Sequence, residues 1–518
     1  MQDRSTATTK RETQVYLDLL SPVFDSGKPL AKLIDTDAGY FLYDTGTNKI
    51  LGCNEETAVL LQTLFSHDVS TAHARFSARF GETTFIRCAA EIMEAVNKEN
   101  ILKVKKATRF GLSDHFGNIG DILNTAVQSV CLELTQACNN RCLYCPYSDF
   151  FKGKRDHGEK VMSLETAKRA IDFLKAHSPG SESVAIGFYG GEPVLQFELL
   201  KTCTAYAGEV FKGKTVRFNM TTNAALMTPG MARYFMENDF SVVVSLDGPQ
   251  EIHDMYRKDK SGKGSYAKTI AGLKMLAHAH AKTKKGRISI NAVYMPPYSE
   301  EKIDKIHGHI KSLEWLPDVV VTTVYPSDGT IPENMIPENG LVQDKNLKQW
   351  AVEKYLDDPR NANTMVKGVV EKKFAKLIQR PVFKEPVAEV FLNGCCIPGE
   401  RKSFVSTDGA IHVCEKIAGH APAIGHVEKG FDFETIKKVY IEDYAERSIA
   451  DCSQCWASRV CDLCYIAAFN EDGNFDIMKK RKTCQTMVIY QEQILRSFVT
   501  LLRKNPGKLG YLYHYGLK

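Results

Sequence analysis

No stretch of this sequence approaches the roughly eighteen consecutive apolar residues of a membrane-spanning helix, which excludes a helical span. The N-terminal segment MQDRSTATTKRETQ is polar and lacks the apolar core of a secretory signal. The chain also lacks a charge excess: 67 Lys and Arg face 62 Asp and Glu, a formal +5 over 518 residues. Basic residues are interleaved with acids, and KTKKGR at 282–287 reads as a solvated turn, so nothing points to nucleic acid. There is no fixed-period repeat and no low-complexity tract. These absences predict a cytoplasmic globular protein with neither nucleic acid nor membrane as a partner.

The length predicts two to four folding units with ample core. Apolar residues at 43% and charged residues at 25% are ordinary for such a protein. What stands out is fifteen cysteines. In a reducing compartment, clustered cysteines point to metal binding or redox chemistry rather than disulfides. Cys53, Cys88, Cys131 and Cys203 stand alone and read as small buried hydrophobes.

Residues 1–14 read as a mobile polar tail, and 15–110 as a separate small α+β unit. In that unit GYFLYDTGTNKILGC is a hairpin with its turn at 45–48, and ETAVLLQTLF and AAEIMEAVNKE have helical spacing. GLSDHFGNIGD reads as a linker. From 127 to 324 strands such as SVCLELT, VAIGFYG, TVRFNMTTN, FSVVVSLDG and RISINAVYM alternate with helices, which predicts an α/β parallel sheet. In such sheets the chemistry sits at the carboxyl ends of the strands. Residues 325–390 read as a helical bridge, 391–490 as a cysteine-rich region, and 491–518 as a terminal helix and tail.

The segment ELTQACNNRCLYCPYS places Cys138, Cys142 and Cys145 on a tight loop after the first of these strands. A cubane iron–sulfur cluster takes one thiolate per iron, so three cysteines leave one iron open to a small molecule with an amine and a carboxylate. Zinc is the rival, with His157 able to supply a fourth ligand.

On this loop and the motifs beyond it, residues 127–324 resemble the radical S-adenosylmethionine (SAM) superfamily. The resemblance implies a partial (β/α)6 TIM barrel, and a [4Fe–4S] cluster on Cys138, Cys142 and Cys145 whose open iron is chelated by SAM. Reductive cleavage of SAM then gives a 5′-deoxyadenosyl radical. Gly190-Gly191-Glu192-Pro193 resembles the family's GGEP motif, which receives the SAM amino group. Ser245 in SLDG matches the ribose-binding position and Arg257 in HDMYR the carboxylate-binding one, where a planar guanidinium gives two parallel hydrogen bonds. Tyr144 takes the place of the aromatic near adenine, and Asn223 is a further candidate for the pocket. A turn and a surface charge are the plain alternatives for Ser245 and Arg257.

The carboxyl end, Cys396-x12-Gly409-x4-Cys414, then Cys452-x2-Cys455-x5-Cys461-x2-Cys464 and Cys484, would suit two zinc sites by count alone. It resembles the SPASM domain, which holds two auxiliary [4Fe–4S] clusters, making three in all; the last close spacing departs from that domain's x3. The resemblance assigns Cys452, Cys455, Cys461 and Cys484 to one cluster and Cys396, Cys414 and Cys464 to the other. The second is one ligand short; an open iron for a substrate thiolate is preferred over Cys395 as fourth ligand. Glu415 is a candidate catalytic base whose pKa burial beside a cluster would raise, against the plain reading of a surface Glu paired with Lys416.

Related enzymes that mature ribosomally made peptides often begin with a winged-helix-like domain that recognises a leader peptide, and 15–110 resembles it. The resemblance therefore implies a precursor peptide with a leader as substrate, thioether formation at Cys as the reaction, and a flavodoxin- or ferredoxin-type reductant. Carbon–carbon or ether crosslinking, oxidation of Cys or Ser as in anaerobic sulfatase maturases, and a non-enzymatic metal scaffold are the alternatives.

Overall fold

Capping residues mark where the N-terminal chain changes from strands to helices in this computed structural model, which describes residues 2–111, 117–147, 157–317, 319–324, 340–358, 362, 364–391, 394–419, 421–470 and 472–514. Helix α1 (Gln2–Phe24) precedes an antiparallel sheet of β1 (Ala31–Thr36), β2 (Gly39–Asp44) and β3 (Lys49–Cys53) in that spatial order. Asp44 closes the β2–β3 turn by accepting from Thr47 N and Oγ1, both at 2.7 Å. Asn54 then caps α2 (Glu55–Ser66) and Asp68 caps α3 (Val69–Phe80), each side chain accepting the backbone N–H three residues on. With α4 (Glu82–Glu99) they bury Leu20, Phe24, Leu42, Leu61, Phe76 and Phe85.

Two expectations are corrected here. Residues 2–14 belong to α1 rather than to a tail, and Thr13 Oγ1 donates to Glu82 Oε2 at 3.0 Å. The apolar second half of that helix packs on α4, and its hydrogen-bond ladder carries the polar half along. The hairpin is also a three-stranded sheet, because AKLIDT alternates too weakly to read as a strand until β2 pairs with it.

After β4 (Arg109–Gly111) and α5 (Ile119–Thr125) the strand–helix alternation begins. Its elements are β5 (Ser129–Thr135), α6 (Leu164–Ala176), β6 (Ser183–Gly190), α7 (Phe197–Val210), β7 (Thr215–Thr222), α8 (Pro229–Glu237), β8 (Ser241–Ser245), α9 (Gln250–Tyr256), α10 (Tyr266–Thr283), β9 (Arg287–Val293), α11 (Glu300–Lys311) and β10 (Val320–Val324). The six strands pair in parallel in the order β10-β9-β8-β7-β6-β5, the sheet of a partial (β/α)6 barrel. Val130, Leu132, Ile186, Phe188, Val242 and Ile290 fill its core.

The barrel does not close; β5 gains another neighbour instead. Helices α12 (Gly340–Asp357) and α13 (Thr364–Ile378) form the bridge, whose start at 325–339 lies outside the described residues, as do linker residues 112–116. Strand β11 (Glu389–Phe391) pairs with β4. Then β12 (Ser403–Val405) joins β5 in parallel and carries β13 (Ala410–His412), β14 (Gly425–His426) and β15 (Gly430–Phe431) antiparallel, giving a ten-stranded sheet. Helices α14 (Tyr444–Cys452) and α15 (Ile477–Lys504) complete the chain's long elements. The boundary expected at 490/491 falls inside α15, so Cys484 and the terminal helix are one element.

The N-terminal unit is not separate. Ile34 and Tyr43, on the sheet face away from α2–α4, share a core with Tyr355, Phe374, Leu495 and Phe498 of α12, α13 and α15. Arg459 spans the junction, its Nη2 donating to Val387 O at 2.5 Å and Glu389 O at 2.7 Å, with Nε on Thr45 O. No helix among the described residues is long and apolar enough to cross a membrane.

Candidate functional site: a three-thiol loop and an eight-thiol extension

The loop bearing Cys138, Cys142 and Cys145 leaves the carboxyl end of β5 and is held from two sides. On one side lies the GGEP turn at the end of β6: Gly191 N donates to Thr135 O at 2.8 Å and Glu192 N to Ala137 O at 2.9 Å. That approach needs glycine. A Cβ on Gly190, where φ is +127°, would sit 2.2 Å from Thr135 O, and one on Gly191 would sit 2.2 Å from Ala137 O. On the other side, Arg141 N donates to Lys258 O at 2.7 Å and Leu143 N to Tyr256 O at 2.9 Å, so the segment carrying Arg257 is pinned to the loop.

Glu192, Asn223 and Arg257 reach this loop from other elements, and Arg257 meets Tyr144 on it. Glu192 is buried and accepts from Thr222 Oγ1 and Asn223 N, both at 2.7 Å, and from Val194 N at 3.3 Å, tying β6 to β7. Asn223 Nδ2 donates to Asn139 Oδ1 at 2.9 Å and lies 3.8 Å from Cys138 Sγ. Arg257 is buried, donates from Nη1 to the Tyr144 hydroxyl at 2.6 Å, and stands over the Tyr144 ring at 5.9 Å. Ser245 ends β8 opposite Asn291. Two buried carboxylates were missed by sequence reasoning. Asp247 accepts from Tyr144 OH at 2.5 Å and from Val293 N at 2.9 Å. Glu133 accepts from Tyr147 OH at 2.6 Å and Thr407 N at 3.2 Å, joining the cysteine loop to the β12–β13 turn. The Asp of SLDG was the legible signal for the first; nothing local marks Glu133.

The residues fit a metal cluster with a cofactor that carries a carboxylate. Burial pushes the Cys138 and Cys145 thiols up to about 12 and raises Cys142, so in this dry loop they carry protons unless a metal centre displaces them. Among the described residues no three ligating side chains converge on one ion; a cubane instead gives each thiolate its own iron. Two buried donors, Arg257 Nε and Asn140 Nδ2, have no partner among the described residues. His157, the alternative fourth ligand, stacks on Tyr147 with ring centroids 6.0 Å apart.

The carboxyl-terminal thiols fall into two groups. Cys452 at the end of α14, Cys455, Cys461 and Cys484 of α15 line one cavity of about 150 Å3 together with Cys395. Cys396, Cys414 and Cys464 form the other: burial and then Cys396 raise Cys464, and burial, Glu415 and Cys464 push Cys414 up to about 11. Gly409, at φ +92°, turns β12 into β13 and so delivers Cys414, which explains the Gly-x4-Cys spacing. Cys395 is half-buried, its thiol donating to Leu463 O at 3.7 Å, whereas Cys396 is exposed.

Glu415 departs from expectation. Its partner is Lys402, 2.6 Å from Oε2, not Lys416 alone. Burial pushes its pKa up, but the Lys402 ammonium outweighs that and holds it below the usual carboxylate range. It is an ionised, ion-paired carboxylate rather than one poised near neutrality.

Three thiols at the carboxyl end of the first strand of an open six-stranded parallel barrel, with a buried arginine fork across from them, define an enzyme core of the radical SAM class. Residues 132–310 match the family model described as the Radical SAM superfamily, so this part of the chain is a radical SAM domain. A radical SAM domain implies a [4Fe–4S] cluster and SAM as cofactors. The chain is similar to a serine-type anaerobic sulfatase-maturating enzyme of Bacteroides thetaiotaomicron, 34% identical over 140 residues, 27% of this chain and 34% of that protein. A cysteine-type anaerobic sulfatase-maturating enzyme of Clostridium perfringens is 22% identical over 338 residues, 63% and 85% of the two chains. Several matched spans are partial, covering 34%, 47% and 37% of the curated relatives concerned. Native anSMEcpe with bound AdoMet superposes with a TM-score of 0.55 at 19% identity over 73% of this chain and all of that one, a likeness of fold.

Proposed function

We propose that the protein is a cytoplasmic radical SAM/SPASM maturase that binds a ribosomally made precursor peptide by its leader and joins a Cys sulfur to carbon in a thioether. The observation that carries the peptide reading is the N-terminal unit. Strand β3 stands at the edge of its sheet with no further strand beside it among the described residues. Next to it lies a cavity of about 570 Å3 lined by Tyr40, Phe41, Leu51, Leu61, Ile92 and Ala95. An edge strand beside an apolar trough suits an extended peptide, which adds main-chain hydrogen bonds and seats alternate side chains.

When bound, the first cluster and SAM supply a 5′-deoxyadenosyl radical that takes a hydrogen atom from substrate carbon. Cys138, Cys142 and Cys145 hold that cluster. Arg257, fixed by Tyr144, which Asp247 holds in turn, would offer its remaining donors to the SAM carboxylate; Tyr144 would take the adenine position and Ser245 the ribose position, with Asn223 a further residue of the pocket. Gly190, Gly191 and Glu192 shape the turn that receives the amino group. Cys452, Cys455, Cys461 and Cys484 would hold one auxiliary cluster and Cys396, Cys414 and Cys464 another, and these would supply an acceptor for the one electron released when the substrate sulfur bonds to the carbon radical. Glu415, kept ionised by Lys402, accepts the substrate thiol proton. A flavodoxin- or ferredoxin-type protein supplies electrons.

The test is co-expression with short Cys-containing open reading frames encoded nearby. A peptide lighter by two hydrogens whose Cys resists alkylation is the expected product. The similarity to sulfatase-maturating enzymes favours a second reading, oxidation of a Cys or Ser side chain to an aldehyde. A product that reacts with hydrazines and contains no ring selects that reading and overturns the thioether.

A further inference from the structure

Four consecutive basic residues, Lys479 to Lys482, follow the first two residues of helix α15, and the first three each have a different partner. Lys479 Nζ donates to Phe469 O at 2.7 Å. Arg481 makes a two-pronged pair with Asp451, at 2.8 and 3.1 Å, clamping α15 to α14. Lys480 between them is 2% exposed. Its ammonium donates to Cys452 Sγ at 3.3 Å and stands 5.6 Å from the centre of the Tyr444 ring. No carboxylate lies within ion-pairing distance of it among the described residues.

Such a lysine is in the wrong place unless an anion faces it. The first turn of a helix carries about half a positive charge, which disfavours a cation there. Taking an ammonium out of water costs several kcal/mol more, and one aromatic face and a neutral thiol return little of that. The Lys480 side chain lines the cavity of Cys452, Cys455, Cys461 and Cys484, and Cys484 lies one helical turn further along the same face of α15. Four thiolates around a cubane supply the missing negative charge, which grows by one on reduction.

We propose that Lys480 sets the reduction potential of the cluster in this cavity, its fixed positive charge and its hydrogen bond to Cys452 sulfur favouring the reduced form. The inference rests on the reading above that these four cysteines hold an auxiliary [4Fe–4S] cluster. Hydrogen bonds to cluster sulfurs and the local net charge are the protein's means of moving such a potential.

The experiment is an anaerobic redox titration of full-length reconstituted enzyme followed by electron paramagnetic resonance, with iron determined on the same samples. Lys480→Met is expected to keep wild-type iron while one midpoint moves to lower potential and the others stay. The reduced-to-oxidised ratio of that centre at fixed potential should fall by about tenfold, roughly 59 mV for one electron. Lys480→Arg should hold the midpoint near wild type. If Lys480→Met does not fold, Lys480→Gln, which keeps a donor but loses the charge, carries the same expectation. Wild-type iron with unmoved midpoints overturns the proposal, and so does loss of about four irons, which would make Lys480 a structural residue. A wild-type enzyme with iron for the first cluster alone sinks the auxiliary-cluster reading itself, which is a different result.

Discussion

Gly191→Ala tests the idea that the GGEP turn is first of all the mould of the cysteine loop. The added methyl would lie 2.2 Å from Ala137 O, 2.5 Å from Ala137 C and 2.7 Å from Gln136 O. All three atoms are backbone, one residue or two before Cys138, so relief requires the loop to move rather than a side chain to rotate. Overpacking of this kind costs about 1–3 kcal/mol, and a shift of a few tenths of an ångström would not clear a contact more than 1 Å too short. The 2.9 Å bond from Glu192 N to Ala137 O would be strained or lost, adding about 1 kcal/mol. A penalty of ~2–4 kcal/mol falls on the one conformation that presents three thiols together. Gly208→Ala is the control: it sits within α7 with nothing inside 4 Å of its added Cβ, and should be neutral or slightly stabilising. In anaerobically reconstituted protein, Gly191→Ala should lose about four irons and SAM cleavage while the iron of the carboxyl-terminal region stays. A Gly191→Ala enzyme with full iron and wild-type 5′-deoxyadenosine release would refute the reasoning.

Arg257→Lys replaces a two-pronged donor with a point charge and should weaken SAM binding by an order of magnitude or more in equilibrium dialysis, with iron unchanged. His253 is fully buried between Asp247 N at 3.4 Å and Ser265 Oγ at 3.0 Å, and burial drives its pKa down to about 2. The unfolded chain takes up this proton below its ordinary value near 6.5 and the folded one does not, so stability falls with pH there by up to ~1.4 kcal/mol per unit. His253→Asn, which keeps an acceptor and cannot charge, should flatten that slope by one proton in urea titrations at pH 5.5 and 7.0. Asp462 is ion-paired with Lys373 and Lys376, whose side chains are 24% and 37% exposed. Burial pushes its pKa up, but the two ammoniums outweigh that and lower it, so the pair's contribution is present above the unfolded value and lost as pH falls into the acid range. Asp462→Asn should destabilise by about 1–3 kcal/mol in denaturant midpoints, less than for a fully buried pair. Cys395→Ala should leave total iron almost unchanged; loss of a whole cluster's iron would make it a ligand.

Much of the first site was written locally. The Cys138, Cys142 and Cys145 spacing fixes a three-thiol loop because the residues are neighbours in the chain. The alternating strands and helices fix where that loop lies, since parallel strands present their carboxyl ends on one side. Arg257, Tyr144, Glu192 and Asn223 were legible as candidates one by one. That they meet was not, because their convergence depends on β6, β7, β8 and the loop after α9 closing around β5. Glu133 and Lys480 gave no signal: a carboxylate in a strand and a lysine in a basic run look solvated until packing buries them.

By itself, then, the sequence determined what short-range rules govern: the β/α periodicity, the thiol loop, and the caps on α2 and α3. Tertiary structure alone decided the sharing of one core by the N-terminal sheet, the bridge helices and α15. It also decided the extension of the barrel sheet through β12 and the pairing of Glu415 with Lys402. The reason is common to all three. Each joins segments from about a dozen to hundreds of residues apart, and such contacts depend on which buried faces and charges are left to be matched once the local elements have formed.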